Sequence, residues 1–282
     1  MTQENDGHLN GNERANGAHN GHLKLINNIR SQSVAHLHAI GITRLHQLCE
    51  MTVEDLLTVH GIGPASAPRI LAHARAWVKG APVWWNSRPA LQHGIMLDIE
   101  GDPTSMPQIP WCFGWCDVQG RAEVIVVVPG APERPLSIHN GTAIITVPDH
   151  AAGWARVGRA SDQHGGPIYH WSGYDAGSLR ATAPQVICAR LLPRMHDLHR
   201  SFTGCVTIPR KSTSIKVIAD YLGYAYQGYQ DWEAAWNDYC NWRRTGDTTA
   251  LLRATAYQAD DAIALAIVWR WMNAQQDTAD LD

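Results

Sequence analysis

The sequence predicts an α/β domain with a central mixed β-sheet flanked by helices, preceded by a small all-α module. Three observations carry this expectation. Residues 94–102, 109–118 and 121–130 are apolar runs with strand character, and Gln119-Gly120 between the last two is a hairpin-turn signal. Residues 31–80 show helical spacing punctuated by capping residues and glycines. After residue 130, short apolar runs alternate with longer amphipathic stretches, the pattern of helices laid on a sheet with parallel and antiparallel neighbours.

Residues 1–22 repeat Asn-Gly three times and hold almost no large apolar side chain, so burial cannot offset their ordering entropy. A disordered tail is expected over 1–24. The all-α module is expected over 25–82, with Ser33, Thr43 and Thr52 as helix caps and Thr52 to Asp55 as a capping-box variant. Its last helix, about 64–79, puts Ile70, Ala74 and Trp77 or Val78 on one face and stops at Lys79-Gly80-Ala81-Pro82. A linker follows over 83–92, where Trp84 and Trp85 either pack on the helices or stack on bases.

The α/β domain is expected over 93–275, with a tail over 276–282. Beyond the three strands, further strands are expected at 143–147 and 167–171. Helices are expected at about 149–160, up to 192, and at 213–222, 231–244, 247–254 and 255–274.

Composition narrows the function classes. The chain has 282 residues, 45% of them apolar, with a net charge of −3, so bulk positive charge does not hold it to nucleic acid. No apolar run reaches the ~18–20 residues of a membrane span, and no apolar signal core opens the chain, so a cytoplasmic location without membrane partners is expected. The six cysteines are too sparse for a disulfide scaffold and read as reduced thiols. Cys112 and Cys116 lack the further ligands of a four-coordinate metal site. Twelve Trp and eight Tyr against two Phe is an uneven aromatic set with no explanation in the sequence.

Two constellations carry chemistry. The first is Gly61-Ile62-Gly63 followed by Ala67, Arg69 and Ile70. Gly61 and Gly63 permit a tight turn and close approach of the backbone to a ligand. The next helix then aims its free N–H groups outward, a phosphate site to which Arg69 adds charge. The segment resembles the helix-hairpin-helix modules of DNA repair and replication proteins, which implies sequence-independent binding to a DNA backbone. A hairpin used only for packing is the alternative.

The second is acidic. Asp98 and Glu100 are two residues apart in an apolar strand and project from one face. Carboxylates so close and so enclosed must share a proton or hold a cation. Asp175 stands after the strand at 167–171, in Tyr169-His170-Trp171-Ser172-Gly173-Tyr174-Asp175. Tyr257 and Asp261 lie four apart on one face of the last helix, whereas Asp260 is rotated away and is expected to be solvated.

In order and context, these segments resemble the exonuclease motifs of the DEDD superfamily, tyrosine subgroup, whose fold is ribonuclease-H-like. A narrower resemblance, through Tyr169 to Asp175, Asp197-Leu198, Ser214 to Ala219 and Tyr257 to Asp261, is to the predicted RecB-like nuclease family. In that family a helix-hairpin-helix segment precedes the ribonuclease-H-like domain. The RecB-like nuclease domain is missing from this sequence, which leaves activity to the four acids. His170 also stands where proofreading enzymes have Asn.

The resemblance implies a metal-dependent 3′–5′ exonuclease with two Mg²⁺ or Mn²⁺ ions about 3.5–4 Å apart. Asp98 would bridge both ions, Glu100 and Asp261 would hold the one activating water, and Asp175 the one beside the leaving oxygen. Tyr257 would orient the water. His170 and Lys216 are candidate substrate contacts, Lys216 being equally readable as a solvated helix lysine. His196, Asp197 and His199 read as surface and structural residues, and Asp102 as either support for the acids or the start of a turn. The expected partner is DNA, in repair or processing. The rivals are the same chemistry on RNA, or a non-catalytic adaptor for a helicase or nuclease.

Overall fold

The structure is a computed structural model that describes residues 23–274, apart from Asn28 and Gln230. The tails expected at either end lie outside the described residues, with one correction. Leu23 and Lys24, expected as the end of the tail, form a 3-10 turn in which Leu23 is buried. The chain divides into two compact units. One ends at Ser87 and includes Thr203–Ser212; the other holds Arg88–Phe202 and the chain from Thr213.

In the first unit, α1 (Ser31–Ala39), α2 (Leu45–Glu50), α3 (Val53–Leu57) and α4 (Ala67–Lys79) close around Leu37, Leu45, Leu48, Leu56 and Ile70. Thr52 caps α3 as expected, accepting from the Asp55 N–H at 3.1 Å while Asp55 accepts from the Thr52 N–H at 2.8 Å. Ser33 is not a cap. It lies inside α1, buried, and its hydroxyl donates to the His60 carbonyl at 2.9 Å. Arg44 rather than Thr43 occupies the cap of α2, where the Gln47 side chain accepts from both backbone N–H groups.

The stretch expected as a linker begins as a strand: β1 (Val83–Trp84) pairs antiparallel with β9 (Val206–Thr207). Residues 203–212, expected within the α/β domain, therefore complete the helical unit. Buried His73 ties them in, its Nδ1 accepting from the Asn27 N–H and its Nε2 bonded to the Arg210 carbonyl, both at 3.0 Å.

In the second unit, seven described strands form one mixed sheet in the order β5-β6-β4-β3-β2-β7-β8. They are β2 (Ile95–Gly101), β3 (Pro110–Asp117), β4 (Ala122–Val127), β5 (Arg134–His139), β6 (Thr142–Val147), β7 (Ile168–His170) and β8 (Met195–Asp197). The Gln119-Gly120 turn joins β3 to β4 as expected, with Asp117 accepting from the Gln119 and Arg121 N–H groups. Strands β5 and β8 were not expected. Each is an edge strand, so half of its backbone pairing is missing and its apolar pattern is weak.

Strand alternation sets the two faces. Ile95, Leu97, Ile99, Phe113, Ile125 and Val127 pack with Trp154 and Val157 of α5 (His150–His164) and with Leu179 of α6 (Gly173–Thr182). The alternate positions face the other way: Cys112, Val124 and Val126 pack with Tyr239, Leu251, Ala254 and Ala259. The remaining helices are α7 (Gln185–Leu191), α8 (Leu198–Thr203), α9 (Ile215–Tyr221), α10 (Trp232–Thr245) and α11 (Thr248–Ala274). The two helices expected at 247–254 and 255–274 are one. Thr255 starts no new helix; its hydroxyl donates back to the Leu251 carbonyl at 2.9 Å, inside a continuous ladder.

Candidate metal centre

Asp98 and Glu100 occupy the β2 positions that face α11, since Leu97 and Ile99 take the opposite face. Helix α11 lies across β2 and β3 and brings Asp261 down onto them. One carboxylate oxygen from each of Asp98, Glu100 and Asp261 lies within 4.8 Å of the others. At an effective dielectric of ~20, two unit charges at that separation repel by roughly 3 kcal/mol. Burial and this repulsion push Glu100 up to about 7, with Tyr257 and Lys216 opposing. Burial, then Asp261 and Asp175, raise Asp98 well above the carboxylate range.

Asp175 sits in the first turn of α6, capped by Ser172, whose hydroxyl accepts from the Tyr174 N–H at 3.2 Å. It is outside the three-carboxylate group, although its charge is felt by Asp98. Burial raises it to about 8, with Glu100 adding to the rise. The structure thus gathers all four acids, three of them tightly.

These residues fit a divalent cation. Asp175 Oδ1 and Asp261 Oδ1 are buried and have no hydrogen-bond partner, an expensive state for oxygen acceptors unless a cation meets them. All-oxygen donors suit a hard ion. The neighbouring thiols offer nothing softer: Cys112, opposite Glu100, is held protonated by burial and by the Glu100 and Asp98 charges. Cys116 donates to the Ala262 carbonyl, and the described cysteines are free.

Around the acids, each sequence-derived candidate has a definite place. Tyr257 is buried one turn before Asp261; burial and the surrounding carboxylates raise its pKa, so it is a neutral phenol. Lys216 is not a freely solvated lysine. Its ammonium donates to the Tyr257 hydroxyl at 2.9 Å, lies 3.4 Å from Asp261 Oδ2, and sits 4.2 Å from the Tyr257 ring centre. His170 is buried at the end of β7, with Nδ1 on the Ser172 carbonyl and 3.8 Å from Asp175 Oδ2. It therefore borders Asp175, the acid that α6 supplies.

Asp260 overturns its expectation. It is 2% exposed and accepts from the Tyr224 hydroxyl at 2.6 Å and from the Gln227 and Gly228 N–H groups at 2.8 and 2.7 Å. The hundred-degree rotation from Asp261 does turn it away from the acids, but into the 224–228 loop rather than into water. Two further residues escaped the sequence reading. Gln258 donates to Asp98 Oδ2 at 2.7 Å and to the Asp98 carbonyl at 2.9 Å, and the buried Tyr226 hydroxyl lies beside Asp261. Gln258 had a signal: it falls between Tyr257 and Asp261, in the turn facing the sheet.

The other singled-out polar residues are structural. Asp197 accepts from the Arg200 N–H at 2.8 Å, capping α8. His196 and His199 bond to the hydroxyls of Ser201 and Thr213. Asp102 accepts from the Thr104 N–H and hydroxyl, so it begins a turn.

In the helical unit, Gly61 adopts φ +84°, and a Cβ there would lie 2.9 Å from the Ser33 hydroxyl. Gly63 has open space where a Cβ would be, but its N–H is donated to the Ser66 hydroxyl at 3.1 Å. Helix α4 starts at Ala67, three residues later than the expected 64, because Ser66 folds back on the Gly63 carbonyl. Arg69 lies in its first turn, half-buried.

Mixed sheet, helix-covered faces and converging acids define a ribonuclease-H-like α/β fold with a candidate divalent-metal site. The chain belongs to the RNase H superfamily, whose sequence profile matches residues 95–273. That membership supports a nuclease hydrolase, and nucleases of this fold use divalent metal ions. No curated protein matches the chain. Among the described residues no helix is long and apolar enough to cross a membrane.

Proposed function

We propose that the chain is a metal-dependent 3′–5′ exonuclease acting on DNA, with Asp98, Glu100, Asp175 and Asp261 holding two Mg²⁺ or Mn²⁺ ions. The observation that carries this reading is the convergence of the Asp98, Glu100 and Asp261 carboxylates within 4.8 Å of one another, with unpartnered oxygens on Asp261 and Asp175. Bound divalent ions would supply a nucleophile from water at neutral pH and neutralise the charge on the scissile phosphate.

The protein's own part is positional. Gln258 fixes the Asp98 carboxylate, and Lys216 fixes the Tyr257 hydroxyl against Asp261. Tyr257, neutral at all relevant pH, orients water by hydrogen bonding rather than by taking its proton. His170 and Lys216 border the site from β7 and α9 and meet the substrate backbone. The choice of DNA rests on the Gly61–Arg69 hairpin, whose likeness to helix-hairpin-helix modules favours a DNA backbone over RNA.

The test is digestion of end-labelled oligonucleotides in Mg²⁺ or Mn²⁺, with 3′-blocked, 5′-blocked and circular forms and an RNA counterpart. Stepwise shortening that a 3′ block stops, with DNA preferred, is the expected result. Cleavage of circles, or shortening that only a 5′ block stops, overturns the exonuclease polarity; no metal-dependent cleavage of any substrate overturns the enzyme.

A further inference from the structure

The second unit holds a cleft of about 500 Å³ that the carboxylate chemistry does not use. Its lining includes Asp102, Trp111, Trp236, Tyr239, Cys240 and Arg243, with Arg244 at the rim. We infer that this cleft binds an unpaired nucleotide of the polynucleotide strand whose end lies at the carboxylates. The inference rests on the nuclease reading above and adds to it where the strand runs.

Three observations converge. The first is aromatic. Trp111 and Tyr239 rings lie 4.5 Å apart at 32°, and Trp236 closes on Tyr239 at 5.4 Å and 31°, so the cleft abuts a packed aromatic wall. Helix α10 supplies this wall through Trp236 and Tyr239, which absorbs part of the uneven Trp and Tyr content. Trp111 and Tyr239 are themselves buried, so half-exposed Trp236 is the ring that offers a face. A base stacks on such a ring regardless of its identity, at about 1–3 kcal/mol per base.

The second is charge. Arg243 and Arg244 are exposed in the last turn of α10, and neither has a carboxylate within ion-pair distance among the described residues. Arg243 is bonded to the Tyr239 hydroxyl at 3.2 Å, and that hydroxyl donates to the Val127 carbonyl at 2.8 Å, which anchors the guanidinium at the cleft. Its remaining donors suit a phosphate. The one acid in the lining, Asp102, has Oδ1 taken by the Thr104 N–H at 2.7 Å and hydroxyl at 2.6 Å.

The third is position. Asp102 follows Glu100 by two residues, about 7 Å of extended chain, and Trp111 precedes Cys112, the register partner of Glu100. The cleft thus opens where the acid-bearing strand ends. Its volume falls within the ~300–1,000 Å³ typical of small-ligand sites. A base on the aromatic wall with its phosphates on the two arginines is the occupant this chemistry selects.

Exposed Cys240 provides a reporter independent of cleavage. The full chain in EDTA is alkylated with and without a single-stranded DNA oligonucleotide, and labelling is followed at Cys240 and, as the control, at Cys188. The oligonucleotide should slow labelling of Cys240 and not of Cys188. Arg243→Glu with Arg244→Glu should remove the protection, and loss of two phosphate contacts should lower the slope of log K against log salt by about 1.4. Trp236→Ala should weaken binding about 5- to 150-fold, the loss of one stacked base.

Protection that survives the double charge reversal in a folded protein overturns the inference, as does a mononucleotide that protects equally well, which would make the cleft a free-nucleotide site. Digestion with Mn²⁺ is measured on the same samples. Digestion without protection sinks the cleft and leaves the nuclease reading standing; protection without digestion does the opposite.

Discussion

Asp98 and Gly114 face each other across β2 and β3, and the missing side chain at Gly114 is what lets α11 approach Asp98. A Cβ at Gly114 would lie 2.6 Å from the Gln258 carbonyl oxygen and 2.8 Å from its Cγ. The first of these atoms is helix backbone and cannot swing aside. The glycine therefore sets the distance between sheet and helix at the level of the acids, and Gln258 uses that proximity to bind Asp98.

Gly114→Ala should consequently harm the site through packing. Pushing α11 off the sheet should cost about 1–3 kcal/mol, the usual penalty for an overpacked core. It should also loosen metal binding, because Asp261 travels with the helix. Thermal melts with and without Mn²⁺ check this: the variant should melt lower and gain less from the metal than the parent. Equal stabilisation by Mn²⁺ in both would detach Asp261 from the site.

The acids also predict how metal-free stability changes with pH. Glu100 is raised from 4.5 to about 7 and Asp175 from 3.8 to about 8. Carboxyls raised in the fold bind protons more tightly than in the unfolded chain, so their contribution is complete below about pH 4 and is lost as pH rises through 7–8. In EDTA the melting temperature should fall between pH 5 and pH 8.5, and Mn²⁺ should remove most of the fall. Asp98→Asn should flatten the slope, hold or raise metal-free stability, and abolish metal-dependent cleavage. A melting temperature that rises with pH in EDTA would contradict the buried-acid cluster.

Neighbouring residues on α11 should behave differently. Asp261→Asn should lose nearly all activity while keeping the fold. Tyr257→Phe keeps the ring and loses the hydroxyl bonded to Lys216, a change worth roughly 10²–10³ in rate if that hydroxyl positions water. Asp260→Asn should lower stability by about 1–3 kcal/mol, because the charged acceptor of three hydrogen bonds becomes a neutral amide. Its oxygen can keep the Gln227 and Gly228 N–H groups, which share Oδ2, but its nitrogen cannot accept from the Tyr224 hydroxyl on the Oδ1 side. Activity per folded molecule and thermal melts separate the three. An Asp260→Asn protein as stable as the parent would show that the 224–228 loop needs no anchor.

Grip on DNA is testable apart from chemistry. Val at Gly61 would collide with Ser33 and strain a positive-φ position, so it reports on folding rather than binding. Gly63→Val projects into open space and, with Arg69→Glu, should weaken DNA binding in a folded protein. Loss of one phosphate contact should lower the salt slope on duplex DNA by about 0.9. Unchanged affinity in filter binding would leave the hairpin a packing element only.

Much of this was legible in the sequence because it depends on local periods. Alternation along a strand put Asp98 and Glu100 on one face, and helical spacing put Tyr257 with Asp261 and turned Asp260 away, whatever the rest of the chain does. The main strands and helices were legible on the same ground, whereas edge strands β5 and β8 were not, since half-paired strands carry little apolar signal. What Asp260 turns toward, that Gln258 holds Asp98, that Lys216 reaches Tyr257, and that residues 203–212 complete the helical unit all came from the folded chain. Each involves partners more than 30 residues apart, joined by burial and hydrogen bonding across the fold. No repeat of two or 3.6 residues encodes which distant segment will cover a given face; that follows from how helices and sheet close-pack.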